Sequence, residues 1–305
     1  MATSGGRRGV RSDTDIGDEG PAASPPLAPH APDGSAVIEP SPLRAVARLA
    51  GLCATIATYA PVQAVVMRTA PQAWARLPRR FHRRCARALG VTVECRGTIS
   101  RARPTLFVAN HVSYLDIPVL GSLAEFSFIA RGDIAGWPVA GALARMQRTV
   151  FVDRRRQGVA AERSEVERRL ADGDNLMLFP ESTTGNGTRL LPFKSALLSV
   201  ARPAEGGVAP TVQPVSIVYT ALDGMPLTRN LRPLVAWYGT MAAGEHFWRL
   251  LGLGRLHARV EFHEPVAPGQ FASRKALTRH CEHTIAAALA DSLAGRARDA
   301  TNSPH

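Results

Sequence analysis

Residues 49–67 form a run of nineteen positions without a charged side chain, closed at either end by Arg48 and Arg68. A helix needs roughly 20 apolar residues to cross a bilayer, so a run of this length restricts where the chain can go. Leu52, Ile56, Tyr59, Val62, Val65 and Val66 supply its apolar content, while Gly51, Pro61 and Gln63 dilute it. A full crossing and a shallow in-plane or re-entrant hairpin both fit these residues, with a buried core helix as the alternative. Its distance from the first residue argues against a secretory signal.

The net charge of +12 matters through its location. Residues 1–42 are acidic, with Arg7, Arg8 and Arg11 against Asp13, Asp15, Asp18, Glu19, Asp33 and Glu39. Residues 43–90 hold nine arginines and no acid. Just past the apolar run, Trp74, Leu77, Phe81, Cys85 and Leu89 recur at helical spacing, with Arg76, Arg80, Arg83, Arg84 and Arg87 on the other faces and Pro78 starting or kinking the helix. This reads as a basic amphipathic helix on an anionic membrane, where each Arg contributes on the order of 1 kcal/mol. A solvated arginine face and a nucleic-acid patch are the other readings; the apolar neighbour favours membrane, and no nucleic-acid partner is expected. With a single crossing, the positive-inside tendency puts this helix and everything after it on the cytoplasmic face.

Four segments follow. Residues 1–42, rich in Pro, Gly, Ser and Ala, are expected to be a disordered tail. Residues 43–90 are the membrane-associating segment, 91–295 a single α/β domain, and 296–305 a flexible end. Cys53, Cys85, Cys95 and Cys281 show no C-x-x-C pairing, which argues against a zinc site or disulfide framework and fits a reducing cytosol. Short β-like runs at 91–95, 105–109, 126–130, 149–152, 175–179, 212–219, 234–237 and 258–262 alternate with helical patterns at 138–145, 159–171, 193–201 and 273–293. His246, His257, His263, His280 and His283 show no metal-ligand spacing, so no metal is expected. Trp237-Tyr238 and Phe247-Trp248 read as aromatic core, with an acyl-chain tunnel or a membrane contact as alternatives.

Two motifs sit just past strand ends, where open α/β sheets bind ligands. The run 105–109 delivers Asn110-His111-Val112-Ser113-Tyr114-Leu115-Asp116, and the run 175–179 delivers Pro180-Glu181-Ser182-Thr183-Thr184. Five residues on a continuous helix turn through about 500°, which would put His111 and Asp116 on different faces. His111 is therefore expected in a loop and Asp116 in the first turn of the next helix, where the carboxylate can fix the imidazole tautomer and stabilise an imidazolium. A positioned base of this kind supplies about 10² to 10⁴ in rate. Asp116 as a helix cap, or as Ser113's partner in a capping box, is the competing reading. No G-x-S-x-G elbow is present, so His111 is left to activate an external nucleophile.

Asn-His-x4-Asp followed some seventy residues later by Phe-Pro-Glu-x-Thr resembles the glycerophospholipid acyltransferase family, typified by 1-acylglycerol-3-phosphate acyltransferases. Arg131-Gly132-Asp133 with Trp137-Pro138 and Gly141, then Phe151-Val152-Asp153-Arg154, resemble its middle blocks; Gly187, Leu191-Pro192-Phe193-Lys194 and Gln213-Pro214-Val215 resemble its later ones. The resemblance implies a mixed sheet flanked by helices, with an amino-terminal membrane-associated helical segment. It also implies acyl transfer from acyl-CoA or acyl carrier protein to a lysolipid hydroxyl, with no further cofactor. On that resemblance His111 is the base and Asp116 its orienter, while Asn110, Glu181, Ser182 and Thr183 bind substrate and Arg131, Arg154 and Lys194 pair with an acceptor phosphate. Lys194 gains from its place at a helix start, where anions bind. The implied acceptor is 1-acyl-sn-glycerol 3-phosphate; a lyso-ornithine lipid or another lysolipid is the alternative, glycerol 3-phosphate a third, and a non-catalytic basic membrane- or nucleic-acid-binding protein the alternative of another class. Ser182 departs from the family's usual glycine, which is expected to reshape the acceptor loop. Arg131 and Asp133 stand where many members carry Lys and Glu.

Overall fold

A strand buried on both faces must lie inside a sheet covered by helices, and β2 (Thr105–Ala109), buried at every residue, is such a strand. The computed structural model describes residues 38–70, 73–74, 76–152, 159–202 and 209–296. Most of the expected amino-terminal tail, residues 297–305 and Arg154 lie outside the described residues. Around β2 the sheet adds β1 (Val91–Gly97), β3 (Ser127–Arg131), β4 (Val150–Val152), β5 (Leu176–Leu178), β6 (Thr211–Leu222), β7 (Met225–Pro226) and β8 (Leu256–Phe262). Its order is β1-β8-β6-β2-β5-β3-β4, with β7 paired to β6. The sheet is mixed as expected: β8 and β7 run antiparallel to β6, and the other neighbours are parallel.

Strand periodicity sorts the core into two layers. Phe107 and Ala109 join Met177, Val215, Ile217 and Tyr219 on one face, covered by α3 (Asp116–Gly121) through Val119 and Leu120. Leu106 and Val108 join Leu176, Leu178 and Val212 on the other, covered by α5 (Val159–Ala171) and α7 (Arg274–Leu293) through Val166, Leu170, Leu277, Cys281 and Ile285. Because β6, β2, β5, β3 and β4 are parallel in sequence across the sheet, their carboxyl-terminal ends share one edge.

The apolar run becomes α1 (Pro42–Thr69), continuous through Pro61 and capped by the Ser41 hydroxyl, which accepts from the Arg44 N–H. It is long and apolar enough to cross a membrane, with little of its apolar window buried. At one end Arg44 donates to the carbonyl of Gly252, and Arg48 to those of Leu251 and Gly254, capping the carboxyl end of α6 (Ala243–Gly252). At the other, the Gln63 amide donates to the carbonyls of Trp74 and Met146, the last residue of α4 (Pro138–Met146). The helix therefore lies along the folded domain, leaving Leu43, Val46, Leu49, Val62 and Val65 exposed on its outer flank.

Helix α2 (Arg76–Ala88) buries Pro78, His82, Cys85 and Ala86, and exposes Arg76, Arg79, Arg80, Arg83, Arg84 and Arg87. The arginines stand outward as the spacing predicts, but His82 takes the place expected of Leu77 and Phe81. The reason is close packing on α3: a Cβ at Gly121 would come within 2.5 Å of the His82 ring. No strand forms at 234–237: Leu234 ends a 3₁₀ turn, Arg232–Leu234, and the next N–H groups are spent on it, Val235 and Ala236 both donating to the Arg232 carbonyl. The helix expected at 193–201 is a 3₁₀ helix, Ser195–Ala201.

His82 is buried, its Nε2 is 2.7 Å from the Gln147 side-chain oxygen, and burial lowers its pKa to about 4. An unfolded histidine titrates near 6.5, so between that pH and about 4 the unfolded chain binds the extra proton. Stability is thus expected to fall by up to about 3 kcal/mol as pH drops through this window. Urea unfolding between pH 7 and 4 should show the decline, reduced in His82→Gln.

Candidate active site

The β2 ladder with β6 ends at Ala109 opposite Val215, and Asn110 extends it by side chain. Its amide donates to the Ile217 carbonyl and accepts from the Ile217 N–H, at 2.9 and 2.8 Å. Asn110, expected to bind substrate, is buried with both amide groups engaged by backbone, and so fixes the exit of the loop.

From that anchor His111 enters a loop and Asp116 opens α3, as the spacing requires. His111 Nδ1 lies 2.7 Å from Asp116 Oδ2, which also accepts the backbone N–H groups of Val112 and Ser113 at 2.7 and 3.0 Å. Asp116 is fully buried, and its Oδ1 accepts from the Tyr219 hydroxyl at 2.8 Å. A carboxylate only accepts, so Nδ1 carries the proton and the Nε2 lone pair points away as a base. Nε2 has no hydrogen-bond partner among the described residues, and the side chain keeps 19% exposure. The same Asp116 oxygen closes the turn at Val112 and Ser113 and holds the imidazole, while the N-cap position of α3 is Leu115, with no side-chain cap bond.

The second loop is tied to the first. Glu181 Oε1 accepts from the His111 N–H at 2.7 Å, and Oε2 from the Leu191 N–H at 2.8 Å. Burial raises its pKa to about 7, against the lowering effect of those two donors. The Gly185 N–H donates to the His111 carbonyl at 2.8 Å. Phe179 stacks on the imidazole with centroids 4.1 Å apart, and Phe128 stacks on Phe179. Ser182 has φ +62°, so serine adopts the left-handed conformation natural to glycine. Serine thus occupies a turn that glycine would hold without strain.

The outlying candidates divide. Thr183 is exposed on the second loop. Arg131, at the end of β3, makes a bidentate pair with Asp133 at 3.0 and 2.6 Å, so its charge is already compensated. Lys194 is exposed ahead of a seven-residue 3₁₀ helix, too short for the helix-terminus anion site expected there. Arg154 lies outside the described residues. Sequence reasoning missed Phe179 as a stacking partner, Tyr219, and Arg232, whose guanidinium donates to the Gly187 and Leu227 carbonyls and braces the second loop. Only the proximity of Phe179 to its motif was visible in sequence.

The model of the family described as Acyltransferase matches residues 90–218. The chain is 44% identical over 225 residues to a lyso-ornithine lipid O-acyltransferase of Brucella abortus, covering 72% of this chain and 84% of that one. It is 34% identical over 187 residues to a 1-acyl-sn-glycerol-3-phosphate acyltransferase of Neisseria meningitidis, covering 61% and 69%. The crystal structure of the 1-acyl-sn-glycerophosphate (LPA) acyltransferase PlsC from Thermotoga maritima has the same fold, with TM-score 0.61 and 24% identity over 84% of this chain and all of that one.

At Ser182, a β-branched residue is far costlier than glycine in the left-handed region. Ser182→Val is expected to be less stable than Ser182→Gly by about 2 kcal/mol, measured by denaturant unfolding.

Proposed function

The chain belongs to the acyltransferase family, and from that premise we propose that it is a lyso-ornithine lipid O-acyltransferase working at a membrane surface. The observation that carries the chemistry is an imidazole whose Nδ1 is committed to a buried carboxylate while Nε2 is unbonded. Nε2 takes the proton of the lysolipid hydroxyl as its oxygen forms a bond to the thioester carbonyl carbon. The tetrahedral oxyanion collapses, the C–S bond breaks, and the thiolate leaving from acyl-CoA or acyl carrier protein receives the proton from His111. Asp116 holds the tautomer and balances the transient imidazolium.

The acceptor differs from the glycerol phosphate that the motifs suggest. Two relatives named for lyso-ornithine lipid, at 44% and 41% identity over 72% and 75% of the chain, exceed those named for 1-acylglycerol 3-phosphate, at 34% over 61%. The Arg131–Asp133 pair supports the same reading, because it offers both signs of charge to a headgroup bearing an ammonium, where a phosphate asks for an uncompensated cation. Lysophosphatidic acid is the second reading, favoured by the relatives named for it and by exposed Lys194. Glu181, Ser182 and Thr183 form the acceptor loop in either case. A non-catalytic basic protein would leave the dyad and the family match without a purpose.

The exposed flank of α1, the six exposed arginines of α2 and exposed Trp137, Val139 and Trp248 support membrane association. A helix laid along the domain suits an in-plane position, and the arginines suit the anionic cytoplasmic face. Residues 43–90 then attach the catalytic domain, 91–295, to the lipid that supplies its acceptor.

Membranes containing the protein, given acyl-CoA or acyl carrier protein thioesters, are expected to acylate lyso-ornithine lipid in preference to lysophosphatidic acid. His111→Ala should abolish product and Asp116→Asn lower kcat by about 10³-fold. Faster turnover of lysophosphatidic acid would move the assignment to the second reading; turnover surviving His111→Ala would remove the base from the mechanism.

A further inference from the structure

Among the strand residues lining one core face, Val215, Ile217 and Tyr219 point the same way from β6, and the third alone carries a polar atom. A phenylalanine would fill that layer equally well, so the hydroxyl needs a reason. Its partner is Asp116 Oδ1, at 2.8 Å, while all three other donors to this carboxylate converge on Oδ2. Tyr219 is the only hydrogen-bond partner of Oδ1 among the described residues, and Asp116 pairs with no arginine or lysine there. The ladder between β6 and β8 breaks register between Tyr219 and Ala221. Such irregularities re-aim side chains and recur beside active sites.

We propose that Tyr219 is a positioning residue of the reaction, a buried donor that sets how strongly Asp116 holds the proton of His111. The inference rests on His111 acting as the base. A phenol aimed at Oδ1 draws charge from the carboxylate and shares it with the imidazole on Oδ2. With the donor present, the imidazolium is stabilised enough to form during acyl transfer and weakly enough to give its proton to the leaving thiolate. Burial and the neighbouring carboxylate keep the Tyr219 phenol protonated, its pKa well above the usual value. Other titratable groups around the dyad are Glu181, whose carboxylate takes the His111 N–H, Tyr114, whose hydroxyl meets His246 Nδ1 at 2.8 Å, and Arg232, whose guanidinium is 3.5 Å from the Tyr219 carbonyl. Of the side chains among them, only Tyr219 and His111 hydrogen-bond to Asp116.

The sign of the effect is fixed by this geometry. Without the hydroxyl the carboxylate holds protons harder, whether on its own oxygen or on the imidazole beside it. The acid limb of the pH–rate profile of Tyr219→Phe should therefore move up by about one pH unit, with kcat at the plateau about 10-fold lower and little change in KM for either substrate. Replacing Tyr219 by 3,5-difluorotyrosine, a stronger donor of nearly the same shape, should move the limb down and keeps the test alive if Tyr219→Phe fails to fold. Repeating both in a Glu181→Gln background removes that carboxylate's own titration, and the opposite shifts should persist. A limb that stays in place in the difluoro variant, or a Tyr219→Phe that loses stability or raises KM with no shift, overturns the role. Loss of activity in His111→Ala alongside an unmoved limb would reject Tyr219 alone, whereas activity surviving in His111→Ala rejects the base on which it rests.

Discussion

One carboxylate carried out of water organises this molecule. A buried charge without partners costs several kcal/mol, and Asp116 meets that cost with two backbone N–H groups, one imidazole and one phenol. Three separate pieces of chain must agree for those donors to converge: the loop leaving β2, the start of α3 and a strand more than a hundred residues later. The same convergence fixes the imidazole. The constraint that makes the carboxylate tolerable in the core is thus the one that makes the imidazole directional.

The second loop is held by a second buried carboxylate, under gentler terms. Glu181 receives backbone N–H groups from both the first loop and the segment beyond its own, so the two motifs form a single cross-linked surface above the sheet edge. Ser182, next in sequence, sits in a backbone conformation that glycine would hold without strain. Strain at one residue of this second loop, braced by Arg232, is what a site held for geometry more than for stability looks like.

Much of this was readable in the sequence wherever local periodicity carried the signal. Residues 105–109 and 159–171 are a strand and a helix at the positions their patterns give, and the five-residue spacing of His111 and Asp116 places one in a loop and the other on a helix. What could not be read depended on long-range contact. Tyr219 looks like any aromatic strand residue until β6 lies beside β2, and Asn110 looks like a ligand until its amide meets Ile217. His82 entered the core because a glycine on a neighbouring helix left room, a fact no helical wheel contains. The run at 234–237 failed as a strand because the Val235 and Ala236 N–H groups close back on the Arg232 carbonyl.

Helix α1 reads in sequence as an anchor, yet its first arginines close the carboxyl end of α6 and its buried glutamine bridges two segments at the far end. It is therefore a retaining wall of the catalytic body. Trimming it away to obtain a water-soluble enzyme would strip several carbonyls of their donors and uncover the apolar layer beneath. The exposed apolar flank and the supports of the fold belong to one helix, and solubility is better sought by recolouring that flank at Val46, Val62 and Val65 than by removing the helix.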